Sequence, residues 1–184
     1  MGCLSCLCAR MPAWSAPSEK DEPGPHKFAA KADWSYAHIY TFAFVEHWIP
    51  LMKHMSVAVG RERFLALLRS AAAERGRQDG LDWAKNVAQA DLGTFKKWID
   101  DPFSQRIKTV YIVADSPKAF EVKVTECLWA KTFREADAAD LGYAGFCHRS
   151  ESTAPAYNAH MTMIRTKTLM QGNDYCNPRW IWSV

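Results

Sequence analysis

Cys127, Cys147 and Cys176 carry the richest chemistry in this chain, because a thiolate is both a nucleophile and a metal ligand. Their wide spacing matches no zinc-finger pattern, and a buried, inert thiol is the ordinary fate of cysteine. Each nevertheless falls at the end of a predicted element, and an α+β fold can bring such ends to one pocket. Three arrangements stay open. One thiolate attacks an electrophilic carbon, all three hold a divalent metal or cluster that activates water, or the thiols simply pack. His148 follows Cys147 directly and His160 opens the penultimate predicted strand. Either would favour a thiolate if the fold brought it close. Arg165 and Lys167 share parity in that strand, so they project from one face. Two cations on a face suit a small carboxylate, although plain solvation is the ordinary reading of such a face. His38, His47 and His54, on the first helical stretch, lack the close spacing of a metal pair such as H-E-x-x-H.

The elements that must position these groups are legible in the hydrophobic pattern. Ile39, Phe42, Val45, Ile49 and Met52 recur at helical spacing, with Pro50 expected to kink or divide that helix. The run RERFLALLRSAAAERGR predicts a strong helix punctuated at its end by Gly76 and Gly80, followed by shorter helices over 82–90 and 92–99 that break near Gly93. After Pro102 the pattern changes. Val110, Ile112 and Ala114 alternate on one strand face, and Phe120, Val122, Val124 and Glu126 on another, opposite Glu121, Lys123, Thr125 and Cys127. Asp115-Ser116-Pro117 supplies the hairpin turn. A helix follows, ending near Gly142 or Gly145. A second hairpin over 160–182 turns at Gly172-Asn173-Asp174 and carries Trp180 and Trp182 on one face, as core or as a dimer contact. The expected fold is α+β: N-terminal helices packed on a small antiparallel sheet formed by the C-terminal half.

Composition bounds the partners. The 184 residues are 48% hydrophobic and carry a net charge of +3, which excludes a disordered chain and gives no basic arm for nucleic acid. No apolar run is long enough for a membrane span. Residues 1–32, rich in proline toward their end, read as a disordered leader, and 33–184 as one domain with Asp33 as the first helical cap. The leader's Cys3, Cys6 and Cys8 fit neither a secretory signal nor a myristoylation motif. Three body cysteines cannot all pair, so reduced thiols and a cytoplasmic location are expected. The partner is a small molecule, with homo-oligomerisation left open. The chain lacks a Walker loop, G-x-G-x-x-G, H-E-x-x-H and G-x-S-x-G, which disfavours the enzyme classes that depend on them.

The run VTECLWAKTFREADAADLGYAGFC, followed by RTKTLMQGNDYC-x-x-RW, resembles the L-2-amino-thiazoline-4-carboxylic acid hydrolase family. The matching positions are Cys127, Cys147, Arg165, Thr166, Thr168, Leu169, Gly172 and Cys176, with further similarity at Tyr36-Ala37-His38 and over 60–73. Two positions depart: Ser150 stands where the family has an acidic residue, with Glu151 beside it, and Asn177 where the family often has Asp. The resemblance implies hydrolysis of a cyclic amidine or thiazoline amino acid to a carbamoyl-cysteine product. It implies catalysis by Cys127, Cys147, Cys176 and Glu151, with Glu126 as a second proton-transfer candidate. Substrate binding would fall to Arg165, Lys167 and His160. The competing expectation is a sensor or scaffold module of the same fold, binding a small ligand or metal without turnover.

Overall fold

The computed structural model describes residues 35–99 and 101–183. The leader, its three cysteines and Asp33 lie outside the described residues. The chain divides into two compact units, residues 1–39 and 40–184.

Helix α1 (Tyr36–Tyr40) is followed by a π-helical stretch, Thr41–Trp48, and by α2 (Ile49–Val59). Pro50 sits in the first turn of α2, the one place where its missing N–H costs nothing. The expected division at Pro50 therefore takes the form of a change from π to α geometry. Helix α3 (Arg61–Lys85) runs straight through Gly76 and Gly80, which were expected to end it. Both glycines are buried where α8 (Arg149–Tyr157) crosses. A Cβ at Gly76 would fall on the Arg149 carbonyl and one at Gly80 on the Thr153 carbonyl. They are in the helix because two backbones meet there, which no reading of local propensity reveals. Asp79, between them, is buried and receives Arg149 Nε at 2.5 Å and Arg75 Nη2 at 2.9 Å. Helix α4 (Leu92–Ile99) is capped by Asp91, whose Oδ1 accepts from Thr94 N–H at 2.7 Å, and contains Gly93 rather than breaking at it.

Helix α5 (Pro102–Ile107) leads into strands β1 (Lys108–Asp115) and β2 (Ala119–Cys127). Beyond them come α6 (Leu128–Glu135), α7 (Ala139–Gly142), a π-helical turn at Tyr143–Cys147 and α8. Gly142 and Gly145 thus do not close the helical region, and α8 is an element the hydrophobic pattern did not predict. Strands β3 (Met161–Ile164) and β4 (Arg179–Trp182) complete a four-stranded antiparallel sheet in the order β1-β2-β4-β3. They are neighbours, but not a tight hairpin. The connection holds a 3-10 turn, Leu169–Gln171, closed by Gly172 in the left-handed region at φ 92°, where a side chain would be strained. Among the described residues no helix is long and apolar enough to cross a membrane.

Two cores result. Leu92, Phe95, Phe120, Val122, Tyr157 and Trp180 fill the space between the sheet and helices α4 and α8. Ile49, Met52, Phe133, Leu141 and Met170 fill the space between the first helices and α6–α7. Trp180 is core and Trp182 packs against it. Cys127 and Leu169 touch both clusters, so the cysteine sits where the two cores meet.

Candidate functional site

Strand β2 delivers Cys127 through a register irregularity. Val124 pairs with Val110 but Glu126 pairs with Thr109, leaving Thr125 as an extra residue. A bulge of this kind inverts the alternation beyond it. Glu126, expected beside Val124 on the inner face, turns out to solvent, and Cys127 turns in against the core. A second irregularity at Val113 moves Ala114 off the face of Val110 and Ile112, opposite Glu121. Cys127 then serves as the N-cap of α6.

Cys147 arrives from the π-helical turn. Cys176 arrives from the β3–β4 connection, where its backbone exchanges two 2.9 Å hydrogen bonds with Val124. The three sulfurs are near enough for their charges to act on one another. Burial pushes the Cys147 thiol from 9.0 up to about 12, reinforced by Cys176 and Cys127 and opposed by Arg165 and Lys108. Burial also raises Cys176, against the pull of the Leu169 N–H that donates to its Sγ at 3.2 Å. Burial thus favours the protonated form of both thiols at neutral pH. Among the described residues no three His, Cys, Asp or Glu side chains are placed to hold a metal ion. The three thiols converge without forming a ligand set, and the metal expectation finds no donor geometry.

The raised Cys147 value has a consequence for stability. The folded state keeps its proton to higher pH than the unfolded chain, so the associated stability is intact below about pH 9 and is lost as pH rises toward 12. Urea midpoints measured from pH 8 to 10.5 are expected to fall more steeply in the parent than in Cys147→Ala. Parallel slopes would contradict the assignment.

Arg165 and Glu151 meet as an ion pair. Arg165 lies just beyond β3 with its side chain 7% exposed. Its Nη1 donates to Ser150 Oγ at 3.1 Å, and its Nη2 to the Cys147 carbonyl at 3.0 Å and Glu151 Oε1 at 2.8 Å. Glu151 Oε2 lies 3.0 Å from His148 Nδ1, without hydrogen-bond geometry. Ser150, the first departure from the family pattern, thus holds Arg165 by its hydroxyl while Glu151 beside it supplies the charge. Asn177, the second departure, braces the loop: its Oδ1 accepts from Thr166 N–H at 3.1 Å and Lys167 N–H at 2.7 Å.

Arg165 and Lys167 do not share a strand face, since β3 ends at Ile164. Lys167 is exposed, its Nζ 3.2 Å from Tyr175 Oη and 4.7 Å from that ring's centre. His160 stands at the opposite end of β3, with Nδ1 2.8 Å from the Ser183 carbonyl and its ring against Trp182. His38, His47 and His54 are exposed.

Beside Cys127 is an open cavity of about 640 Å³, lined in part by Glu126, Cys127, Lys131, Arg134, Glu135 and Leu169. Neither Cys147 nor Cys176 lines it. Lys131 and Arg134 are the residues that sequence reasoning missed. A signal was present, because Cys127, Lys131 and Arg134 are spaced i, i+4, i+7 and so fall on one face of a helix that begins at Cys127. Glu126 accepts the Thr109 hydroxyl from the neighbouring strand.

A family model described as L-2-amino-thiazoline-4-carboxylic acid hydrolase matches residues 36–180. No curated protein sequence matches the chain. Among solved structures, the phenol-responsive sensory domain of the transcription activator PoxR with phenol is similar in fold at a TM-score of 0.52. It is 14% identical, with 73% of this chain and 72% of that one covered.

Proposed function

The chain belongs to the L-2-amino-thiazoline-4-carboxylic acid hydrolase family, and from that premise we propose that it opens a small cyclic amidine or thiazoline amino acid, with Cys127 as the attacking thiol. The observation that carries this reading is that Cys127, alone of the three body cysteines, lines the cavity. Cys127 stands at the N-cap of α6, at the mouth of that cavity.

The Cys127 sulfur adds to the amidine carbon, and the ring C–S bond breaks to release the substrate's own thiol. An isothiourea then links enzyme and product. Water adds to the same carbon and expels the Cys127 thiolate, leaving a carbamoyl-cysteine. In this reading Glu126, which lines the cavity, carries the proton from the Cys127 thiol to the departing sulfur and then takes one from water. Glu151 keeps the buried Arg165 cation neutralised, and Arg165 in turn braces the Cys147 carbonyl.

The test is incubation with excess L-2-amino-thiazoline-4-carboxylate, following release of product thiol and carbamoyl-cysteine by mass spectrometry. Multiple turnovers per chain are expected. The second reading, binding without turnover, is favoured by two protonated thiols and by a fold shared with a sensory domain. Ligand protection of Cys127 from alkylation with no product formed would establish it instead.

A further inference from the structure

Several arginines are already matched by carboxylates: Arg61 by Asp140, Arg149 by Asp79 and Arg165 by Glu151. Lys131, on the cavity wall, lies 4.0 Å from Glu135. Arg134 differs. Among the described residues its guanidinium makes one contact, a long 3.4 Å hydrogen bond from Nη1 to the Leu169 carbonyl, and it meets no carboxylate. That same Leu169 donates its N–H to Cys176 Sγ, so the guanidinium is anchored at a residue that borders the thiol cluster. Arg134 and Cys127 stand two helical turns apart on one face of α6, about 10 Å along the axis. Helical side chains lean toward the N-terminus, which carries the guanidinium back toward the thiol.

We propose that Arg134 is the specificity-determining residue of the cavity, binding the carboxylate of the ligand so that its electrophilic carbon meets Cys127. The ligand class is a small amino-acid-derived carboxylate, gripped at one end and attacked at the other. A planar guanidinium matches a carboxylate in two parallel hydrogen bonds, a geometry a lysine does not offer. Arg165, expected for this role, is spent on Glu151, Ser150 and the Cys147 carbonyl. The assignment rests on Cys127 being the reacting thiol.

The experiment compares alkylation of Cys127 by iodoacetate and by iodoacetamide in the full-length protein and in Arg134→Gln, Arg134→Lys and Lys131→Gln. In both reactions sulfur displaces iodide from a methylene carbon, so only the reagent's charge differs. Peptide mass spectrometry reports Cys127 alone. Arg134→Gln is expected to slow iodoacetate by about tenfold, the worth of one charge-assisted contact, and to leave the iodoacetamide rate unchanged. Arg134→Lys should retain part of the preference, and Lys131→Gln most of it. With the thiazoline substrate, Arg134→Gln is expected to raise KM by about 30-fold or more, with kcat little changed. An unaltered iodoacetate-to-iodoacetamide ratio in Arg134→Gln overturns the proposal. Its failure is separable from that of the hydrolase reading. A parent without turnover, in which Arg134→Gln still abolishes iodoacetate selectivity, removes the hydrolase and keeps the carboxylate site. A parent with turnover and an unchanged KM in the variant does the reverse.

Discussion

Cys127→Ser is expected to lower turnover of the thiazoline substrate by on the order of 10³-fold or more, because the reaction loses the only thiol among the described residues that lines the cavity. A serine hydroxyl at the same place is not ionised near neutral pH, and among the described residues no histidine lines the cavity to activate it. His148 faces Glu151 and His160 faces the Ser183 carbonyl. The fold should survive, since Cys127 is half-buried and loses only a sulfur-sized contact between the two cores, worth about 1 kcal/mol. The matched controls are Cys147→Ala and Cys176→Ala. Their thiols are protonated, so each is expected to keep turnover within about tenfold of the parent while losing some stability. Steady-state kinetics and urea unfolding on the same preparations separate the two effects. Full activity in Cys127→Ser, or its loss only in Cys147→Ala, would end the assignment of the nucleophile.

Gly80→Ala is expected to cost about 3 kcal/mol or more of stability although alanine is the better helix former. Within a helix the substitution is ordinarily favourable by about 1 kcal/mol. Here the new methyl would fall on the Thr153 carbonyl, with the Tyr157 nitrogen at 2.8 Å and the Ala156 Cβ at 2.9 Å. The first two are backbone atoms of α8 and the Ala156 methyl has no rotamer to change, so nothing local relieves the clash and the two helices must part. Parting them loosens the ion pair of buried Asp79 with Arg149 between the same helices. It also disturbs α8, which carries Glu151, the partner of Arg165. Gly93→Ala is the control, since its new methyl meets only Asp91 Oδ1 at 3.4 Å and should be neutral or stabilising. Urea midpoints that rank Gly80→Ala at or above the parent would show that α3 and α8 do not pack as closely as described.

By itself the sequence determined the class of fold and most of the elements. The α+β order, both strands of the first hairpin, α4 and the turn at Ser116 follow from patterns that act over a few residues: apolar period, β-branching and turn chemistry. It also named the cysteines, because residue type is enough to flag a thiol. The tertiary structure decided which thiol faces the cavity. One extra residue at Thr125 exchanges Glu126 and Cys127 between faces, and a bulge is a property of two paired strands that neither strand's pattern contains. It decided the fate of the charges as well. Arg165 was legible as a cation but not as a buried one, since Glu151 and Ser150 reach it from a helix the pattern missed. Gly76 and Gly80 read as helix ends because local propensity sees only their flexibility. In the fold they serve by lacking a side chain where another backbone crosses. Local periodicity is written along the chain, whereas register, burial and close approach belong to pairs of distant segments and exist only once those segments meet.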